Sequence, residues 1–227
     1  MHRERFVENA DIRPIALLQE SMELIRDKYW LFVGMGVLVI LSSYVPFGLF
    51  VGPLICGFFL CFFRLMSGQN VEIDHLFKGF DFFLESLIIS VLIAVGSYVV
   101  TMAIYLLMVV SIFGGIGLFA SGEGWAAGTI IIMVVLSCFI ALLAVSLVSI
   151  LFVFSYPILV DRGLRAIEAM TLSMHAVKAN LGGILLLLIV NAGITFLAFL
   201  ICYIPVFLVF PVTFGSFALA YRKVFPQ

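Results

Sequence analysis

Apolar residues run almost without pause from Trp30 to Tyr221, broken at Pro46 to Gly48, Ser67 to His75, Gly114 to Gly124, Asp161 to Asn180 and near Tyr203 to Pro205. In hydrocarbon each backbone N–H and C=O must be satisfied within its own segment or in a closed barrel, and runs this long and without alternation predict helices. The breaks divide the chain into spans at 30–46, 49–66, 82–112, 125–160, 181–203 and 204–221. The expected fold class is therefore all-α integral membrane, with about six transmembrane helices in three hairpins. The expected layout is a single membrane domain over 1–227: an amphipathic N-terminal helix at 1–29, a first hairpin at 30–66, a surface helix and long hairpin at 67–160, and a surface helix and third hairpin at 161–227.

Polar positions give each hairpin a lead-in. Ile12, Ile15, Leu18, Met22 and Ile25 share one face of a helix opposed by Arg13, Glu20, Glu23 and Asp27, with Asp11 expected as N-cap and Pro14 in the first turn. Ile73, Leu76, Phe77 and Phe80 repeat the stripe, and Leu164, Ile167, Met170, Met174 and Val177 repeat it again. Such helices lie in the headgroup plane or cover the ends of the spans. Spans two and six also share a signature, since Pro53, Gly57 and Arg64 have the spacing of Pro211, Gly215 and Arg222. Ser21-Met22 and Ser173-Met174 extend the likeness upstream, so a duplicated unit of surface helix, helix out and helix back is expected, with the middle copy diverged. The two prolines are expected to bend their helices and the two glycines to let helices approach closely, with packing favoured over gating.

Spans three and four exceed what a bilayer needs. About 31 and 36 residues at ~1.5 Å rise give roughly 46 and 54 Å, against ~30 Å of hydrocarbon. Either they are kinked or tilted, or they project toward a partner protein, a second copy of the chain or lipid chains.

Composition supports this picture: 64% of residues are apolar, 24 are Phe and 11% are charged. A water-soluble fold could not hide that much apolar surface. No cleavable signal pattern follows the polar residues 1–11, and no block of like charge points to nucleic acid. The twelve basic residues all fall before span one, between spans two and three, between four and five, or after six, whereas the other turns hold only Glu123. Basic residues in short loops stay cytoplasmic, which puts both termini on that side.

Candidate chemistry is sparse. Cys56, Cys61, Cys138 and Cys202 sit in apolar stretches without metal-ligand spacing, and His2, His75 and His175 read as exposed surface residues. No nucleophile and base are paired, so no enzyme, cofactor or metal is expected. Glu85 and Arg64 lie near span ends, and Asn191 is the main polar residue deep in a span, with Ser97, Tyr98, Thr101, Ser137, Ser146 and Ser149 as expected hydroxyl partners. These read first as helix-to-helix glue and second as the lining of a pathway. Arg64, Arg162, Arg165, Lys178 and Arg222 form an expected basic rim for anionic lipid headgroups.

The stretch Pro157 to Ser173, PILVDRGLRAIEAMTLS, resembles a signature of uncharacterised multi-pass bacterial membrane proteins, including the membrane domain attached to some glycerophosphodiester phosphodiesterases. Leu76 to Asp81, LFKGFD, is similar to their first cytoplasmic loop. The resemblance implies a bacterial inner-membrane protein with a six-helix domain, without phosphodiesterase activity because the catalytic domain is not in this chain. From the residues themselves, Asp161 is expected to cap the third surface helix, Gly163 to allow a tight exit from span four, and Glu168 to pair with Arg165 or Arg162. Together these readings lead to a non-enzymatic accessory subunit or lipid-interacting scaffold, with a transporter or lipid translocator as the alternative.

The orientation has a direct check. In a cysteine-free background, His175→Cys resists a membrane-impermeant maleimide in intact cells and reacts once they are permeabilised, whereas Gly122→Cys already reacts in intact cells; the two residues with their behaviour exchanged would invert the topology.

Overall fold

The computed structural model describes residues 12–44, 49–120, 126–201 and 204–226. Asp11, Pro46, Glu123, Cys202, Tyr203, the glycines at 122 and 124, and His2, Arg3 and Arg5 lie outside the described residues. All regular structure among the described residues is helical: α1 (Pro14–Ile25), α2 (Tyr29–Ser42), α3 (Val51–Met66), α4 (Asp74–Phe77), α5 (Phe83–Ala120), α6 (Ala126–Leu151), α7 (Ser155–Arg162), α8 (Ala166–Ala179), α9 (Leu181–Ile201) and α10 (Ile204–Val224). Short 3₁₀ turns join α1 to α2 (Arg26–Lys28) and α4 to α5 (Lys78–Phe82).

Four stretches are long and apolar enough to cross a membrane: Asp74–Val110, Ile131–Arg162, Leu181–Ile201 and Ile204–Val224. α2 and α3, with 14 and 16 residues, are shorter, about 21 and 24 Å at ~1.5 Å per residue. The fourth span, expected unbroken over 125–160, stops at Leu151; residues 152–154 form a turn and α7 begins anew at Ser155. A hydroxyl makes the turn possible, because Ser173 Oγ donates to the Leu151 carbonyl (2.9 Å) and accepts from the Phe154 N–H (3.2 Å). Both backbone groups would otherwise be left open by the broken helix. α5 continues for 38 residues without interruption.

The chain divides into two compact units, residues 1–90 with 151–227, and residues 91–150. In the second unit most of the large apolar side chains that are described are exposed, from Val91 and Tyr98 to Phe139 and Leu147.

The first unit holds the core. α3 is its most buried helix, with Pro53, Cys56, Gly57, Phe58, Phe59, Phe62 and Phe63 among its covered residues. Phe32 stacks against Phe62 at 4.7 Å, and Phe58 and Phe59 lie 5.0 and 4.7 Å from Phe214, so aromatic rings fill the seam between α2, α3 and α10.

A threefold internal pattern organises this unit. α1 packs on α10, α4 with its 3₁₀ turn on α3, and α8 on α7. Each lead-in segment therefore leans on the returning helix of the preceding unit, and the first leans on the last. Gly57 in α3, Ser155 in α7 and Gly215 in α10 each stand seven residues before an arginine, Arg64, Arg162 and Arg222. The middle copy has Leu151 and Ser155 where the others have proline and glycine. Small residues at these points admit the lead-in segments. A Cβ at Gly57 would overlap the Leu76 carbonyl, one at Gly79 the Pro53 carbonyl, and one at Gly215 the Ser21 hydroxyl. The lead-ins thus lie along the returning helices, about 10 Å from the arginines by helix rise, rather than over their ends.

Their faces are also rotated from expectation. In α1 the covered line is Pro14, Leu17, Ser21 and Ile25, while Ile15 and Met22 are 68% and 49% exposed. In α8 it is Ala166, Ala169, Met170, Ser173, Ala176 and Val177, so that Met170 and Val177 are covered as expected while Ile167 is exposed. Serine counts as polar in a hydropathy stripe, but here its hydroxyl is satisfied by the helix it packs on: Ser21 Oγ donates to the Val212 carbonyl (2.9 Å) as Ser173 does to Leu151. Pro53 does not bend its helix either. It occupies the first turn of α3, where the N–H it lacks has no intrahelical acceptor to lose. Pro211 lies inside α10.

Gly57→Ala is expected to destabilise the protein by about 1–3 kcal/mol through overpacking against backbone, whereas Gly34, which has open space around its Cα, takes alanine without loss. Thermal unfolding of both variants in detergent separates them.

Candidate functional site

The residues that precede the three arginines converge. The Tyr221 ring lies 5.5 Å from Phe63, and its hydroxyl donates to Asp161 Oδ2 at 2.7 Å. Arg222 Nη1 stands 3.1 Å from Asp161 Oδ1, with both side chains mostly covered. The Arg222 guanidinium lies over Phe63 (4.4 Å to the centroid) and that of Arg162 over Phe225 (4.8 Å). Cation–π contacts of this kind hold a guanidinium plane in place without neutralising its charge. Arg64, in the same position on α3, is half-buried, and among the described residues no carboxylate pairs with it.

The other basic residues named from sequence stand apart in character. Arg165 and Lys178 are exposed at the two ends of α8. Asp161 does not cap α8, since it lies within α7, which ends on Gly163 in the left-handed conformation (φ 59°). The first α8 N–H, that of Ala166, instead donates to Glu85 Oε2 at 2.7 Å. Glu85 thus supplies an anion to a helix N-terminus from a distant element, a role that only the fold reveals. Lys223, next to Arg222, pairs with Glu20 at 3.2 Å, and Lys28 Nζ donates to Asn70 and to the Val71 carbonyl.

Asn191 is the buried amide. Its Nδ2 donates to Ser216 Oγ at 3.0 Å, and Thr195 Oγ1 donates to its main-chain carbonyl at 2.8 Å. Its partner is thus Ser216, which was not among the hydroxyls expected. Ser137 and Ser149 donate to carbonyls one turn back in their own helix, and Ser146 too is engaged. Asn191 borders a groove of about 560 Å³ between α9 and α10, lined mainly by phenylalanine.

Among the described residues no group of three His, Cys, Asp or Glu could hold a metal ion. His75 Nδ1 accepts the Glu72 N–H at 3.1 Å, and His175 Nδ1 lies 2.7 Å from the Thr171 carbonyl. Cys61 Sγ contacts Met35 Sδ at 3.8 Å inside the core, and Cys56 is fully buried.

No family model, no curated protein and no solved structure matches this chain. What can be said of its class is that it is an all-helical protein with four helices apolar and long enough to span a membrane.

The Tyr221–Asp161 hydrogen bond links two of the three returning helices. Tyr221→Phe and Asp161→Asn are each expected to cost about 1–3 kcal/mol in unfolding, with a double-mutant cycle giving clear non-additivity; additive losses would show that the two groups act separately.

Proposed function

We propose that this chain is a non-enzymatic integral membrane protein of a bacterial inner membrane that holds anionic lipid headgroups at the arginine-bearing end of α3, α7 and α10, as a scaffold or as an accessory subunit of an envelope complex. The observation that carries this reading is the recurrence of Arg64, Arg162 and Arg222 at one position of three returning helices, with stacking on Phe63 and Phe225 that orients two of them and no carboxylate on the first among the described residues. Guanidinium groups held in this way match phosphate oxygens in geometry and charge. Exposed Arg165 and Lys178 extend the basic surface, and each basic residue near an anionic leaflet adds about 1 kcal/mol of attraction.

Both termini belong on the cytoplasmic side in this reading, and the six apolar segments form three hairpins of which the first is short. The long helices, expected at 82–112 and 125–160, are where a second membrane protein or another copy of the chain would meet it, because their described side chains are exposed and apolar.

Native mass spectrometry of protein extracted gently from its host membrane tests the proposal. Retained phosphatidylglycerol or cardiolipin, lost several-fold in Arg64→Gln and in Arg162→Gln, is the expected result. Equal retention of zwitterionic lipid, or retention indifferent to both substitutions, would overturn the headgroup assignment, and a stoichiometric second protein would identify the subunit form.

A further inference from the structure

The hydrogen-bond arithmetic around Asn191 leads to a second site, independent of the arginines. Ser216 has one hydroxyl hydrogen, and it goes to the Thr213 carbonyl at 2.6 Å. Ser216 can then only accept, so Asn191 must present Nδ2 to it and not Oδ1. The neighbouring hydroxyl hydrogens are spent as well, that of Thr195 on the Asn191 carbonyl and that of Thr213 on the Phe210 carbonyl. What remains is Asn191 Oδ1, a buried acceptor without a partner on a residue only 5% exposed.

Asn191 is part of the wall of the α9–α10 groove, whose other lining includes Thr195, Phe196, Phe210, Phe214 and Phe217. Its volume of about 560 Å³ is in the range that small-molecule pockets take. No charged residue lines it, so a charged ligand would find no counter-ion there. Asn191 is the eleventh of the 21 residues of α9, about 15 Å from either end by helix rise. A glycerophospholipid keeps its polar groups at the interface, well away from that depth, and its acyl chains have no hydrogen to give.

We propose that the α9–α10 groove binds a neutral, membrane-dissolved molecule with an apolar body and one hydroxyl, a phenol or a long-chain alcohol, which donates its hydrogen bond to Asn191 Oδ1. Oδ1 is covered in the empty groove, and the hydroxyl reaches it when a neighbouring side chain rotates aside. Specificity follows from the unpaired acceptor: a ligand that donates relieves it, and one that can only accept does not.

The test uses the full chain in detergent micelles and two probes, a fluorinated 4-alkylphenol and its methyl ether, with saturable binding read from ¹⁹F NMR line widths. The phenol is expected to bind about tenfold more tightly than the ether. Asn191→Leu is expected to abolish the difference, and Ala192→Trp, which fills the groove and leaves the Asn191–Ser216 bond in place, to abolish binding of both. Equal affinity for the two probes, no saturable binding of either, or a phenol preference that survives Asn191→Leu or Ala192→Trp would overturn the proposal. The probe comparison on the unmodified protein decides the matter even if Asn191→Leu does not fold.

Discussion

Backbone meets backbone where Gly57 of α3 faces Leu76 and Gly79, and the placement of the elements around it depends on that approach. In an apolar solvent there is no hydrophobic force between helices, so contact area and backbone proximity must supply the attraction. With residues 74–82 pressed onto α3, the start of α5 follows: Ser86 and Ser90 come against Gly52, and Ser90 shares a hydrogen bond with Tyr156 at 2.9 Å. The same placement brings Glu85 to the first N–H of α8. α8 in turn holds the broken end of α6 through Ser173. One missing side chain at position 57 thus has effects that extend through three further elements.

Polar groups in this unit are arranged so that few compete. Ser21, Ser173, Tyr29 and Lys28 each spend a donor on a main-chain carbonyl of a different element, Tyr29 Oη on Leu208 at 2.8 Å. Such bonds fix register between helices whose apolar surfaces would slide past one another with little preference. Asp161 does the same with charge, since it joins Tyr221 and Arg222 of α10 to α7. Among the described residues Asn191 Oδ1 and Ser155 Oγ are buried without a hydrogen-bond partner, and Asn191 has a groove beside it.

Helices and their approximate limits were legible in the sequence because long apolar runs leave few alternatives. Pro53, Gly57 and Arg64 matched Pro211, Gly215 and Arg222 by spacing alone, and Ser21 matched Ser173. The middle copy shares only its arginine with that signature, because Ser155 serves where glycine stands elsewhere, and smallness, not residue identity, is what the contact demands. The faces of α1 and α8 were misjudged for a related reason: hydropathy treats Ser21 and Ser173 as outward-facing, yet a hydroxyl that can reach a carbonyl is buried as readily as alanine. The break at 152–154 lies just ahead of Pro157, which has no N–H to offer the Val153 carbonyl and whose ring crowds it, and Ser173, nineteen residues away from Phe154, satisfies backbone groups that the break opens. Of the candidate site, the arginines could be named in advance. Their convergence on Tyr221 and Asp161 could not, because it depends on three helices far apart in the chain.

The order of contacts has a consequence for synthesis. The lead-in helix α1 emerges first, but the surface it covers belongs to α10, which emerges last, and Ser21 and Val212 are 191 positions apart. Through most of translation the Leu17, Ser21 and Ile25 side of α1 has no resting place, while the second and third lead-ins find theirs on helices already made. Assembly of the first unit is therefore closed by its final helix, and a ribosome-released fragment lacking α10 would leave an apolar, hydroxyl-bearing ridge open to quality-control proteases or to the α10 of a neighbouring molecule.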